Sequence, residues 1–191
     1  MNKKILILLV LAIIIAAGFF VFLGISKTGG KVNPANRSFM RNLLNQARQS
    51  EAKGSLFEAK ILYQKLVNNF PGSSDVSGWQ KKAEDLNIKL LFSPLLTPKS
   101  IIYQIRPGDT LNKIAREHKT TVELIMKSNN INVSLIVPGR KIKIWIAPFS
   151  ILVDKSQNIL LLKSDEEVIK TYIVSTGKNN CTPLGVFKIT N

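Results

Sequence analysis

The chain has 191 residues, 27 of them Lys or Arg against 12 Asp or Glu, for a formal net charge of +15, and it has one cysteine. This length excludes one large core and suits two or three small modules, while a single thiol excludes an intramolecular disulfide and any multi-cysteine metal site. The basic balance predicts attraction to a polyanion, for which nucleic acid, anionic headgroups and polymer carboxylates all qualify, beside the plain alternative of a lysine-rich solubilising surface.

Residues 5–24 read ILILLVLAIIIAAGFFVFLG without a charge, and at 1.5 Å per helical residue they match the ~30 Å of a bilayer core. A cleaved signal peptide has a shorter apolar region that ends in a small-x-small site. No Ala-x-Ala follows the run and no lipobox cysteine is present, so residues 1–27 are expected to form an uncleaved signal anchor. Lys3 and Lys4 before it face Lys27, Lys31 and Arg37 after it, a balance that does not set orientation by itself.

Residues 28–37 are expected to be a linker. Helical periodicity follows over 38–92, carried by Leu43, Leu44 and Ala47, then Leu56, Ala59, Leu62, Tyr63 and Leu66, with Gly54 and Pro71 as punctuation. The spacing of Leu43, Ala47, Gly54, Ala59, Tyr63 and Pro71 resembles one tetratricopeptide repeat, with residues 79–91 as a third helix. A plain helical bundle explains the same pattern. A lone repeat would act as a spacer or docking hairpin, since solenoids need about three repeats to bury a continuous core.

After a second linker, 93–100, the order becomes strand, helix, helix, strand over 101–146. Residues 102–105 alternate as a strand, Pro107-Gly108 turns the chain, and Leu111, Ile114 and Ala115 mark a short helix. Thr120 with Glu123 reads as a capping box for a second helix that Asn129-Asn130 stops. Pro138-Gly139 then leads into Lys141-Ile142-Lys143-Ile144-Trp145, a strand with alternating lysines. The run Tyr-x-Ile-x-Pro-Gly-Asp-Thr-Leu-x-x-Ile-Ala, then Asn-x-Ile, then Pro-Gly-x-x-Ile-x-Ile closely resembles a lysin motif (LysM). That resemblance implies binding of N-acetylglucosamine-containing glycan in a shallow groove, lined by Gly108, Asp109, Thr110 and Leu111 on one side and Asn130, Ile131 and Asn132 on the other. Amide and hydroxyl groups would bond the acetamido group, and Leu111 and Ile131 would meet sugar methyls and ring faces. Each has a structural alternative: Gly108 in the turn, Asp109 or Thr110 as helix cap, Leu111 in the core. The one histidine, His118, is expected to end the first helix, where positive charge is favourable.

Residues 150–191 give four short alternating segments separated by polar turns, the pattern of an antiparallel meander. Residues 151–154, 159–162 and 168–175, then Gly177-Lys178 and Thr182-Pro183-Leu184-Gly185-Val186-Phe187, resemble the opening of an L,D-transpeptidase domain. Members of that family cross-link peptidoglycan through a cysteine thiolate that attacks the peptide bond after the third stem residue, and they carry a His...Ser-x-Gly-Cys motif downstream of this opening. No such motif occurs in the 191 residues. Cys181 lies in a loop where the family is variable and is not expected to be the nucleophile, so no catalytic residue is assigned and the chain as given is expected to be inactive. An unfinished meander should present bare strand edges, which favours an interrupted reading frame over a naturally short protein.

The expected fold class is a multi-domain α+β chain: transmembrane helix, tetratricopeptide-like hairpin, βααβ LysM module and incomplete mainly-β L,D-transpeptidase domain. The expected function is that of a membrane-anchored, peptidoglycan-binding protein of cell-wall biogenesis, single-pass in the cell membrane with its C-terminal modules facing the periplasm or wall. The alternative is a non-enzymatic wall-binding anchor or scaffold. Expected partners are peptidoglycan, the membrane and a protein at the helical segment. Nucleic acid is not among them, because no recognition motif or aromatic platform is present, and no cofactor or metal is expected.

Overall fold

The computed structural model describes residues 34–132, 136–177 and 181–189. Two compact units are distinguished, Met1–Ser38 and Phe39–Asn191. Of the first, only residues 34–38 are described. The expected membrane span at 5–24 lies outside the described residues, among which no helix is long and apolar enough to cross a membrane. The fold is α+β, with a helical region, a βααβ module and a small antiparallel sheet.

Three helices open the described chain: α1 (Pro34–Ala52), α2 (Leu56–Asn69) and α3 (Val76–Leu91). Helix α1 begins inside the stretch expected to be linker, with proline at its first position, where the missing N–H costs nothing. It ends in a Schellman arrangement: Gly54 takes φ +76, its N–H donates to Glu51 O at 3.1 Å, and Ser55 N–H donates to Ser50 O at 2.9 Å. Leu43 and Ala47 of α1, Ala59, Leu62, Tyr63 and Leu66 of α2, and Trp79, Ala83 and Leu86 of α3 form one buried cluster. The alanines at its centre let the helix backbones approach closely.

The βααβ module pairs β1 (Ser100–Gln104) with β2 (Lys141–Trp145) in antiparallel register, Tyr103 opposite Ile142 and Ile101 opposite Ile144. Between them lie two helices of two turns each, α4 (Leu111–Glu117) and α5 (Val122–Ser128). Thr110 caps α4 by accepting from Lys113 N–H at 3.2 Å. The expected capping box on α5 is displaced by one residue. Thr121, not Thr120, is the cap and accepts from Leu124 N–H at 3.1 Å, because the chain leaves α4 through Lys119 at φ 53 and Thr120 N–H is drawn back to Ala115 O at 2.9 Å. His118 ends α4 as expected and packs edge-on against the Tyr103 ring.

The C-terminal sheet has three strands, β3 (Phe149–Asp154), β4 (Ile159–Ser164) and β5 (Glu167–Ile173), in that order and antiparallel. The expected fourth segment forms no strand among the described residues 181–189, where Leu184, Val186, Phe187 and Ile189 are exposed. A strand needs a neighbour to satisfy its ladder, and no ladder reaches this stretch. Nor are both edges of the sheet bare. Helix α3 covers β5, with Asn87 Nδ2 donating to Val168 O at 3.2 Å, while β3 is the edge whose Phe149, Ile151 and Val153 remain exposed.

Candidate glycan-binding face and its neighbouring sheet

The two loops that flank α4 and α5 are held on one core. Leu111, Ile114, Ile125 and Ile131 are buried in the same cluster as Tyr103, Ile105, Ile142 and Ile144. Leu111 is therefore a core side chain, and so is Ile131. For Leu111 this is the core role offered above beside sugar contact, and Ile131 shares it: helices of two turns cannot stay folded alone, and these are the side chains that dock them.

Asp109 also serves the scaffold. Its carboxylate accepts from Arg106 N–H and from the Tyr103 hydroxyl, both at 2.8 Å, and from Lys113 Nζ at 3.2 Å. The backbone donor of Arg106, then the Tyr103 hydroxyl, holds this carboxyl below the usual carboxylate range. Reciprocally, the bond to Asp109 and burial push the Tyr103 phenol up. Gly108 takes φ +80, a turn conformation that suits glycine, and Gly139 takes φ +87 in the facing turn. Gly139 N–H donates to Ile105 O at 2.8 Å and Ile105 N–H to Arg140 O at 3.0 Å, which brings the two Pro-Gly turns together.

Gly108, Thr110, Asn130 and Asn132 are exposed. These four, together with whatever backbone they present, are what remains of the expected groove for a ligand to touch. A separate shallow cleft of about 640 Å³ lies along β1 and beside the two Pro-Gly turns, lined by Ile102, Tyr103, Gln104, Arg106, Pro107 and Pro138 among others, and none of the four exposed groove residues lines it. Its exposed Arg106 guanidinium lies 5.8 Å from the Tyr103 ring.

Sequence reasoning missed two residues that organise this module. Asn129, read only as part of a helix stop, is buried. Its Nδ2 donates to Ile125 O at 2.8 Å and to Lys143 O at 2.7 Å, and its Oδ1 accepts from Lys143 N–H at 2.6 Å. One amide side chain thus replaces a missing strand partner for β2. Asn129→Ala should destabilise the module by on the order of 3 kcal/mol, because a buried donor and a buried acceptor both lose their partner; urea unfolding of the two proteins measures it. Lys143 is the second. It does not alternate with Lys141 as an exposed lysine but is buried at 3% exposure, because the outer face of β2 is covered by the end of α3.

Comparison with known proteins agrees with this geometry. The LysM domain model matches residues 103–145, and the L,D-transpeptidase catalytic domain model matches residues 148–191. The chain carries a LysM domain followed by L,D-transpeptidase catalytic-domain sequence. It is similar to the YkuD proteins of Bacillus licheniformis (32% identity over 100 residues, 48% of this chain and 60% of the relative) and Bacillus subtilis (31% over 99 residues, 48% and 60%), both named as inferred L,D-transpeptidases. A shorter match of 48 residues at 40% identity, 25% of this chain and 15% of the relative, joins it to the N-acetylmuramoyl-L-alanine amidase sle1 of Staphylococcus epidermidis. The chain thus spans about three fifths of the length of the two Bacillus relatives.

Strands β3 to β5 open the catalytic-domain sequence. Cys181, in the segment after them, is exposed, and its Sγ lies 2.5 Å from where a Cβ on Gly177 would stand. The one histidine of the chain, His118, is in the LysM domain. Among the described residues, no group of three or more His, Cys, Asp or Glu could hold a metal ion.

Proposed function

We propose that this chain is a membrane-anchored, peptidoglycan-binding protein of cell-wall biogenesis that belongs to an L,D-transpeptidase. The observation that carries the reading is the direct succession of LysM and L,D-transpeptidase sequence over 103–191. The first module recognises the glycan of a polymer whose peptide stems are the substrate of the second. The exposed Gly108, Thr110, Asn130 and Asn132 would supply backbone and side-chain hydrogen bonds to acetamido groups. The excess of Lys and Arg over acidic residues, 27 to 12, favours approach to an anionic wall. Residues 5–24 would hold the protein in the cell membrane with the LysM domain on the wall side. A protein partner of the helical segment would meet the groove of about 410 Å³ lined by Arg48, Tyr63, Trp79 and Lys82.

In this reading the chemistry is acyl transfer through a cysteine supplied by a His...Ser-x-Gly-Cys motif, which residues 1–191 do not contain, and Cys181 takes no part in it. The second reading is a wall-binding anchor without catalysis, which the LysM match over 103–145 supports by itself. Nucleotide sequence beyond codon 191 separates the two, since an open frame that encodes the motif assigns the enzyme.

Glycan binding has its own test. The full chain should sediment with purified peptidoglycan sacculi and be released by N-acetylglucosamine oligomers, and Asn130→Gly/Asn132→Ala should weaken retention about tenfold with little change in thermal stability, since glycine accepts the φ of 53 at position 130. A full chain that stays in the supernatant overturns the reading.

A further inference from the structure

A cleft of about 680 Å³ lies where α2, α3, the 97–99 connector, the end of β2 and the start of β5 meet. Its position invites a ligand, but its polar lining is already engaged. Glu167 accepts from Lys60 Nζ at 2.8 Å and Gln64 Nε2 at 3.0 Å through one oxygen, and pairs with Lys99 Nζ at 3.1 Å through the other. Glu84 accepts from Thr171 Oγ1 at 2.7 Å, and Asn87 is committed to Val168 O. A site that awaited a ligand would keep some of these groups unpaired. The cleft is a seam, and its walls come from three modules.

The seam continues on both sides. Toward the sheet, Lys170 pairs with Asp85 at 2.7 Å, Ile169 and Ser164 are buried, and Trp145 Nε1 of the LysM domain donates to Ser164 Oγ at 3.2 Å. Lys99 also donates to Ser164 O. Toward the LysM domain, Lys143 Nζ donates to Leu90 O at 2.6 Å and Ser93 O at 2.8 Å at the end of α3. The connectors are tied as well. Ile146 N–H donates to Lys99 O at 3.0 Å, and Ser100 Oγ accepts from Thr97 N–H at 2.9 Å. Flexible linkers leave their backbone to water; these bond to each other and to the first residue of β1.

We infer that the helical segment is an internal brace, which locks the LysM domain and the L,D-transpeptidase sheet in one orientation and so sets a fixed reach between the bound glycan and the sheet. The brace follows from packing alone; only its use to present stems rests on the function proposed above. Helices α2 and α3 would then act within the chain, through the face that carries Lys60, Gln64, Glu84 and Asn87.

Distances between paired spin labels test this in the full chain held in lipid nanodiscs, with Cys181→Ser as background. One label at Lys65 in α2 is paired in turn with Gln157 in the β3–β4 turn and with Asn112 in α4, all exposed positions. Both pairs should give single, narrow distributions. Glu167→Gln/Lys170→Gln should broaden the first pair about twofold and leave the second narrow, whereas Lys143→Met should broaden the second. Broad distributions in the unsubstituted background overturn the brace whatever the variants do, and so do distributions that stay narrow in every folded variant. Neither result bears on sedimentation with sacculi, so a failed brace and a failed glycan-binding reading remain distinct.

Discussion

Replacing Lys143 by alanine is expected to cost the folded chain on the order of 3 kcal/mol, an effect far outside the usual range for a strand lysine. The ammonium serves Leu90 O and Ser93 O, carbonyls at a helix end that have no intrahelical donor, and it meets the negative end of the α3 dipole. In its absence Ser93 O loses this donor, and Leu90 O keeps only the Ser93 hydroxyl at 3.3 Å. Lys143→Met should fall between the two, because it refills the volume of the stem without restoring a donor. The sign of the pH effect separates this account from simple packing. Burial pushes the Lys143 ammonium down from 10.5 to about 8. Below pH 8 both folded and unfolded chains hold the proton, and the cost of burying the charge is fully present. Between about 8 and 10.5 the folded group releases its proton while the unfolded one keeps it, so the unfolded state binds more protons and stability rises with pH. A neutral amine still has two N–H donors for the two carbonyls. Urea unfolding at pH 7.5 and pH 10 (about neutral and about two units above the shifted value) should therefore show the wild-type advantage over Lys143→Met growing with pH. An advantage that shrinks would mean that the charge itself, rather than its donors, holds the joint.

Why Lys143 escaped the sequence is instructive. Alternation correctly puts Ile142 and Ile144 toward the module's own core and Lys141, Lys143 and Trp145 on the other face. Nothing local announces that a second module covers that other face from Lys143 onward. The same blindness hid Glu167, which in sequence is one of several acids in a polar turn, and Asn129, which looks like its exposed neighbour Asn130. Elements set by local chemistry were legible: the Pro-Gly turns at 107–108 and 138–139, the helix stop at Gly54, and the order strand, helix, helix, strand. The groove was legible only in outline. Leu111 and Ile131 read as loop residues available to a ligand, with core packing weighed for Leu111 alone, whereas two short helices have few other anchors and bury both. The fourth strand was over-read for the complementary reason, since the Pro-Leu-Gly-Val-Phe run at 183–187 states a preference that only a neighbouring strand can fulfil.

Glu167 should give the second large effect, and acid should reveal it. Its carboxylate holds together Lys60 from α2, Lys99 from the connector and the sheet itself, so Glu167→Ala leaves a lysine at 8% side-chain exposure without its counter-charge. The expected loss is about 3 kcal/mol, toward the lower end for removing one partner of a buried pair, because Glu167 keeps 24% side-chain exposure. Burial pushes the Glu167 carboxyl up, but the hydrogen bond and charge of Lys60, then Lys99 and Gln64, outweigh it and hold the group below its ordinary 4.5. The folded state therefore binds the proton less readily than the unfolded one. Its contribution is complete above about pH 4.5 and is lost as pH falls through the lowered value. Glu167→Gln keeps the shape and one acceptor oxygen but cannot titrate. Thermal unfolding from pH 7 (about two units above the carboxylate range) down to pH 3 (about one unit below it) should show wild type well above Glu167→Gln at neutral pH and the two curves converging in acid. Convergence assigns the stabilisation to the carboxylate charge. A constant gap would instead assign it to the packing of β5 against α3, with Asn87, Thr171 and Ile169 holding the sheet whatever the state of Glu167.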